Sequence, residues 1–542
     1  MRGTGLVLGA LGASLLLASP AWGAQKNVEL VKTIPEAKMA TAINFLEYRG
    51  GHGGDDKWRG GHDDDDRGRG GGRTREVMLV TGRFGLKAYD IDNPAEPRLL
   101  DELSAERLKL QGDPPVDFGP PDTSNPTSTF WQNEDMDVDQ DRKLVLLSRD
   151  PRAYGGTTAN SPGDPMPNGA TNIAGVYVVD ARDPEALRLL SFQQLPTGHT
   201  TTCVNDCKWL WTGGPASSTR QVQELGWTFG RPIIVTDLSD PRRPRAYPMN
   251  PVDLFRRDGA TAYSHDVQVD AMGIAWVSGD GGTRGYWTKG RHFDPLERRN
   301  REATPLRPIP YAGGGIPAQY TNDANGGFEH NAWRPVGRDA PRGDKRYERG
   351  ELLLATEEDF GPANLGCSQQ GQFTISSLKG SYNGEAWRST PTNQFRLQVV
   401  GNWNPYQKEG SRPSTGPFHP LANFCSAHYF DVDGSVVTYA WYGEGTRFLD
   451  ISDPENPRQF AYWRPDDGIV WASYLRDGYI YTADRTRGVD ILKFTAGATA
   501  ARASRKEVSA PAQSAKQQRF LWTQSASLKA DAATRGLCLI DA

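Results

Sequence analysis

Short apolar runs recur along the chain, each broken by turn residues. Val77–Val80, Leu144–Leu147, Ile274–Val277, Leu352–Ala355, Val436–Trp441 and Tyr479–Thr482 are examples. They are too short for helices and rich in β-branched or aromatic side chains, which predicts strands. A strand is expected before each run, and Asp433-Gly434 and Asp477-Gly478 mark tight hairpins between the two. A third run follows, as in Leu86–Tyr89, Val176–Val179, Ile233–Thr236 and Arg447–Leu449, and it leads into a repeated turn. The turn reads Asp90-x-x-Asn93-Pro94-x-x-Pro97-Arg98. It returns as Asp180-x-x-Asp183-Pro184-x-x-Leu187-Arg188, Asp237-x-x-Asp240-Pro241-x-x-Pro244-Arg245 and Asp450-x-x-Asp453-Pro454-x-x-Pro457-Arg458. Asn or Asp before proline bonds its own backbone, and proline ends the pairing, so a fourth strand follows each turn.

Recurring units of four antiparallel strands, A to D, predict an all-β chain folded as a single β-propeller. Seven units fit residues 28–494. Their inner strands are expected to start near Ala40, Trp131, His199, His265, His330, His428 and Val470. The last unit lacks an outer strand. Val28–Ile34 has no other partner and is expected to supply it, closing the ring without an open edge. Six blades remain an alternative, because unit four has a poorly marked outer strand. Composition agrees: 60 Gly and 38 Pro among 542 residues suit a turn-rich chain, and 10% aromatics imply a real core. Only 37% hydrophobic residues exclude a multi-span membrane protein, and a net charge of −4 gives no support to nucleic-acid binding.

Three segments fall outside the repeats. Arg2, the apolar run Gly5–Ala18 and Ala21-Trp22-Gly23 read as a signal peptide over residues 1–23. This predicts a secreted, extracytoplasmic protein with no membrane span. Residues 49–75 carry two Arg-Gly-Gly-His copies, ending at His52 and His62, and the acidic run Asp63–Asp66, and are expected to be a disordered insertion. Thr495–Lys516 reads as a linker, within a linker and C-terminal tail over 495–542. Export is compatible with disulfides. Cys203-x-x-x-Cys207 suits either a structural bridge or a soft metal site, and the bridge is preferred because no second close pair lies nearby. Cys367 and Cys425 fall on long loops of one face and are expected to pair, leaving Cys538 over.

The histidines carry the chemistry. Of 8 His, His199, His265, His330 and His428 fall at one position, the start of an inner strand, in consecutive units. Inner strands line a propeller's axis, so the four imidazoles should converge at one polar channel mouth. Glu134 takes the same position in unit two. Such a ring suits copper, zinc or iron, with carboxylates such as Glu134, Asp266, Glu329 and Glu357 in an outer, orienting role. Glu358 ends the same strand as Glu357. His265, His330 and His428 are expected to bind one transition metal, with His199 as a fourth ligand. Copper is the first choice and zinc the second. No phosphate-binding glycine loop, nucleophile elbow or H-E-x-x-H motif is present.

Val176–Asp180 and Arg447–Pro454 resemble the LVIVD repeat of exported bacterial proteins, a resemblance covering roughly residues 28–494. It implies a propeller and leaves the function open. The chain is more distantly similar to the selenium-binding proteins, or methanethiol oxidases, propellers whose histidines take part in copper chemistry. Two classes of function follow. One is a copper-dependent oxidoreductase. The other is a non-catalytic scaffold that holds an extracellular protein or glycan on its long loops. The partner, small molecule or macromolecule, is not legible.

Overall fold

Seven antiparallel blades follow one another along the chain in the computed structural model. The structure describes residues 23–49, 74–113, 134–151, 153, 173–214, 233–247, 264–279, 282–294, 297–313, 316–317, 319–320, 329–337, 340–358, 371–379, 398–405, 426–511, 513–521 and 523. Blade 1 runs Ala40–Arg49, Thr74–Gly82, Gly85–Asp90, Arg98–Ser104 from the axis outward. Blade 2 is Met136–Asp139, Leu144–Arg149, Ala174–Asp180, Arg188–Leu195. Blade 3 is Thr200–Val204, Trp209–Gly213, Ile234–Asp237, Arg245–Tyr247. Blade 4 is Ser264–Val269, Ile274–Gly279, Gly282–Trp287, with Ile309–Pro310 outermost. Blade 5 is Glu329–Trp333, Leu352–Glu357, Phe373–Ser377, Gln398–Trp403. Blade 6 is Phe430–Asp433, Val436–Trp441, Gly445–Asp450, Arg458–Pro465. Blade 7 is Val470–Arg476, Tyr479–Asp484, Gly488–Phe494, closed by Val28–Ile34, which pairs with Val489–Phe494.

Strand periodicity explains the packing. Successive side chains point to opposite faces, so each blade feeds two interfaces. In blade 2, Val145 and Leu147 pack toward blade 1 with Leu79 and Leu86. Leu144 and Leu146 pack toward blade 3 with Leu210 and Ile234. That double burial is why the middle strands read as continuous apolar runs rather than alternating ones. The same arrangement joins every neighbouring pair around the ring, including blade 7 to blade 1 through Tyr481, Ile491, Ile43 and Val80.

The repeated turn has a direct physical reading. Its first Asp caps the amide two residues on: Asp90 Oδ1 accepts from Asp92, Asp180 from Arg182, Asp237 from Ser239 and Asp450 from Ser452, at 2.8–3.1 Å. The Asn or Asp before proline caps the next turn in the same way, as Asp183 does for the amide of Glu185 at 3.0 Å. The closing Arg returns to the first Asp in two copies, Arg98 to Asp90 and Arg188 to Asp180.

Several expectations need correction. The weak fourth outer strand exists, but it is displaced along the sequence by a hairpin of Arg291–Asp294 and Arg299–Glu302. The insertion is shorter than 49–75, because Arg49 pairs with Thr74 and Tyr48 with Arg75. Residues 50–73, with His52 and His62, lie outside the described residues, as does the expected leader up to residue 22. Gly23–Lys26 adds a fifth strand to blade 6 beside Arg458–Pro465. The presumed linker contains the helix Ala496–Ala503, whose Ala498 packs with Phe460 and Leu492. Beyond that helix the chain docks on blade 6. Gln513 donates to Glu444 at 2.5 Å, Gln517 to the Gly443 carbonyl at 2.6 Å, and Arg464 to the Pro511 carbonyl at 2.7 Å. The reason is electrostatic: Glu444 is buried between Arg447 and Arg464, and the tail satisfies polar atoms that this triad leaves over. Among the described residues no helix is long and apolar enough to cross a membrane.

Closure by Val28–Ile34 buries Val28 and Ile34. Deleting the strand removes roughly 1.5–3 kcal/mol for each of those side chains and exposes the edge of Gly488–Phe494. Thermal unfolding of the deleted chain should therefore begin at a clearly lower temperature. An unchanged melting curve would show that closure does not depend on this strand.

Candidate metal centre

A local backbone device sets the histidines. The inner strands of blades 1, 4, 5 and 7 each slip register at their first residues, between Ala40 and Ala42, Ser264 and Asp266, Glu329 and Asn331, and Val470 and Ala472. The skipped residues are Thr41, His265, His330 and Trp471. A β-bulge re-aims the side chain it carries, and in blades 4 and 5 that side chain is an imidazole. His199 immediately precedes its strand and His428 lies two residues ahead of its own, and their amides bond the carbonyls of Gly213 and Ala440 at 3.0 Å.

The four imidazoles meet around Glu134. Its Oε2 lies 2.5 Å from His199 Nε2 and 3.1 Å from His265 Nε2, and its Oε1 lies 3.3 Å from His428 Nε2. The rings follow in sequence order, with centroids 4.7 Å apart for His199–His265, 4.3 Å for His265–His330 and 4.0 Å for His330–His428. All five side chains are fully buried. The expected open rim is therefore a fully buried cluster of side chains. Glu134, expected in an outer role, faces the imidazole nitrogens directly. His199, whose strand is spaced differently from the others, belongs to the group.

Outer partners fix three of the rings. His265 Nδ1 lies 3.0 Å from the His330 carbonyl and His428 Nδ1 lies 2.6 Å from the Trp471 carbonyl. A carbonyl only accepts, so both Nδ1 atoms carry hydrogen and both Nε2 atoms point inward to Glu134. His199 Nδ1 lies 2.8 Å from Asp150 Oδ2. Asp150, at the end of a middle strand, carries no signature that marks it in sequence. His330 differs: neither of its nitrogens has a hydrogen-bond partner among the described residues. Glu358 Oε2 is 3.7 Å from its Nε2, and Glu358 Oε1 accepts from the Tyr442 hydroxyl. Tyr442 holds a left-handed backbone at φ 26°, uncommon for a residue with a side chain.

The other carboxylates expected in outer roles turn elsewhere. Asp266 accepts from Gln268 at 2.9 Å. Glu329 lies opposite Glu357 across the ladder of blade 5, and neither of its oxygens has a partner among the described residues. The alternation that sends the bulged histidines inward aims these neighbours between strands. Cys203 and Cys207 form the disulfide, spanning the hairpin turn of blade 3, where Asn205, Asp206 and Cys207 all have positive φ. Cys367, Cys425 and Cys538 lie outside the described residues.

Electrostatics match the geometry. Burial opposes charge on His199, but Glu134 and Asp150 on either side outweigh it and hold its pKa up at about 9. Burial takes His265 down to about 4 against the pull of Glu134. Burial, with His428 and His265 nearby, takes His330 well below the usual imidazole range. Burial alone would raise Glu134, yet the surrounding imidazoles hold it well below the usual carboxylate range. The result is a Glu134 carboxylate and a His199 imidazolium beside the neutral imidazoles of His265 and His330, a donor set suited to a divalent transition metal. Two triads have ligand atoms mutually within 4.8 Å: Glu134 with His265 and His330, and His330 with Glu358 and His428. His292 is apart from the site, stacked on Trp287 at 3.9 Å.

No protein-family model matches the chain, and no curated protein matches it.

The His199 shift has a consequence for metal-free protein. Its folded pKa of about 9 exceeds the ordinary 6.5. The stability it contributes is fully present below pH 6.5 and is lost as pH rises through about 9. Melting temperature should fall across that window in the wild type and less steeply in His199→Gln. Parallel curves for the two proteins would contradict the assignment.

Proposed function

We propose that this chain is an exported, LVIVD-type propeller metalloprotein that binds a transition metal in the axial chamber, and that it acts as a copper-dependent oxidoreductase. One observation carries the metal reading. The Nε2 atoms of His265 and His428 converge on Glu134 oxygens at 3.1 and 3.3 Å, while neither nitrogen of the fully buried His330 has a hydrogen-bond partner among the described residues. Buried polar atoms without partners are unfavourable, and a bound cation would turn a His330 nitrogen into a ligand beside Glu134, His265 and His428.

Copper is favoured over zinc because imidazoles with carboxylates bind Cu(II) best among the first-row divalent ions. The Cys203–Cys207 disulfide fits an oxidising compartment, in keeping with the signal-like segment over residues 1–23. When bound, copper would supply one-electron chemistry. The chain's own part is to orient the imidazoles through Asp150 and the two backbone carbonyls and to exclude bulk water. One observation favours the second reading, a non-catalytic scaffold with a structural or sensing metal: every donor is fully buried, whereas catalytic metals keep an open coordination position.

The test is elemental analysis of protein matured in its native compartment, after dialysis against a weak chelator. The double variant His330→Gln, His428→Gln should retain its circular dichroism and bind metal at least about 100-fold more weakly, since the loss of even an outer partner costs about 10–100-fold. Equal metal content in the two proteins would sink the metal reading. Oxidase activity that appears with copper and vanishes in the double variant would separate the enzyme from the scaffold.

A further inference from the structure

The donors around the axis exceed what one ion can use. Four imidazoles, both oxygens of Glu134 and the carboxylate of Glu358 converge, whereas a transition metal in such a setting takes about four protein ligands. Nor do the donors share one centre. They divide into Glu134–His265–His330 and His330–Glu358–His428, each mutually within 4.8 Å. Glu134 also divides: Oε2 faces His199 and His265, and Oε1 faces His428.

We propose that the chamber holds a pair of metal ions, with Glu134 bridging them through its two oxygens. The first ion lies against Glu134 Oε2 and His265, next to His199, whose Nε2 is 3.0 Å from that of His265. The second lies against Glu134 Oε1, His428 and Glu358. His330 stands between them as the member common to both triads, and with no hydrogen-bond partner on either nitrogen among the described residues it is able to serve either ion.

Two features support a pair over a single ion. Ligands on one tetrahedral ion with bonds of about 2.0–2.1 Å lie roughly 3.3 Å apart. Glu134 Oε2 and the His265 nitrogen, at 3.1 Å, meet that spacing on one side, and Glu134 Oε1 and His428, at 3.3 Å, meet it on the other. Glu358 is placed for the second ion alone, where it is held by the Tyr442 hydroxyl.

This inference rests on the metal reading above, and the experiment separates the two. Metal-free whole protein is titrated with Cu(II), freed of excess by gel filtration, and measured for copper per chain and for electron-paramagnetic spin count. The wild type should retain two copper ions per chain with a spin count well below its copper content, because bridged Cu(II) ions couple. His265→Gln and Glu358→Gln should each retain one ion, with spin count equal to copper content. A wild type that retains one fully spin-active copper overturns the pair and leaves the metal reading standing. A wild type that retains none overturns both. Circular dichroism of each variant shows whether it has folded, and the wild-type stoichiometry decides the question even if one has not.

Discussion

The innermost strand of each blade is paired on one edge only, and its other edge faces the axis with bare amides and carbonyls. Buried backbone groups need partners. Here the side chains of one inner strand supply them to the next. Asp137 accepts from the Cys203 amide at 2.7 Å and Asp431 from the Leu475 amide at 3.0 Å. Asn44 donates to the Met136 carbonyl at 2.8 Å, and Thr202 to that of Val267 at 2.6 Å. This lacing explains why the strands nearest the axis carry Asp, Asn and Thr where the middle strands carry Leu and Val.

The imidazoles belong to the same lacing. His265 and His428 each give their Nδ1 hydrogen to the bulged residue of the next blade, His330 and Trp471. Structural demand on the inner edge thus sets the tautomer and ring plane that metal ligation needs. Blade 5 differs, because neither nitrogen of His330 has a hydrogen-bond partner among the described residues. Its ring is held by packing, edge-on to Tyr429 at 4.5 Å and beside His265 and His428. A histidine held by shape alone keeps its donor capacity for a ligand.

Glu444 between Arg447 and Arg464, and Arg149 against Asp113 at 2.6 Å, are fully buried pairs at the ends of middle strands. Each is completed by chain from outside the blades: the C-terminal tail reaches Glu444 and Arg464, and Leu108 accepts from Tyr177, which in turn accepts from Arg149. Such pairs are strongly destabilising when one partner is lost. They therefore hold those segments against the blades.

The sequence by itself determined the blades. Strand runs, Asp-Gly hairpins and the Asp-x-x-Asn/Asp-Pro turn act over a few residues, and the bonds of Asp90, Asp180, Asp237 and Asp450 show that mechanism at work. The recurrence of histidine at one strand position was legible for the same reason, since position within a repeat is a local property. What those histidines face was not. Glu134 is 294 residues from His428 in sequence yet 3.3 Å from it in space, and only closure of the ring creates that contact. The bulges that turn His265 and His330 inward leave Asp266 and Glu329 aimed elsewhere, and one residue of register separates Glu358, which reaches the chamber, from Glu357, which lies opposite Glu329. Register and ring closure are tertiary facts, because a strand's own composition does not specify which neighbour shares its face or what meets it across the axis.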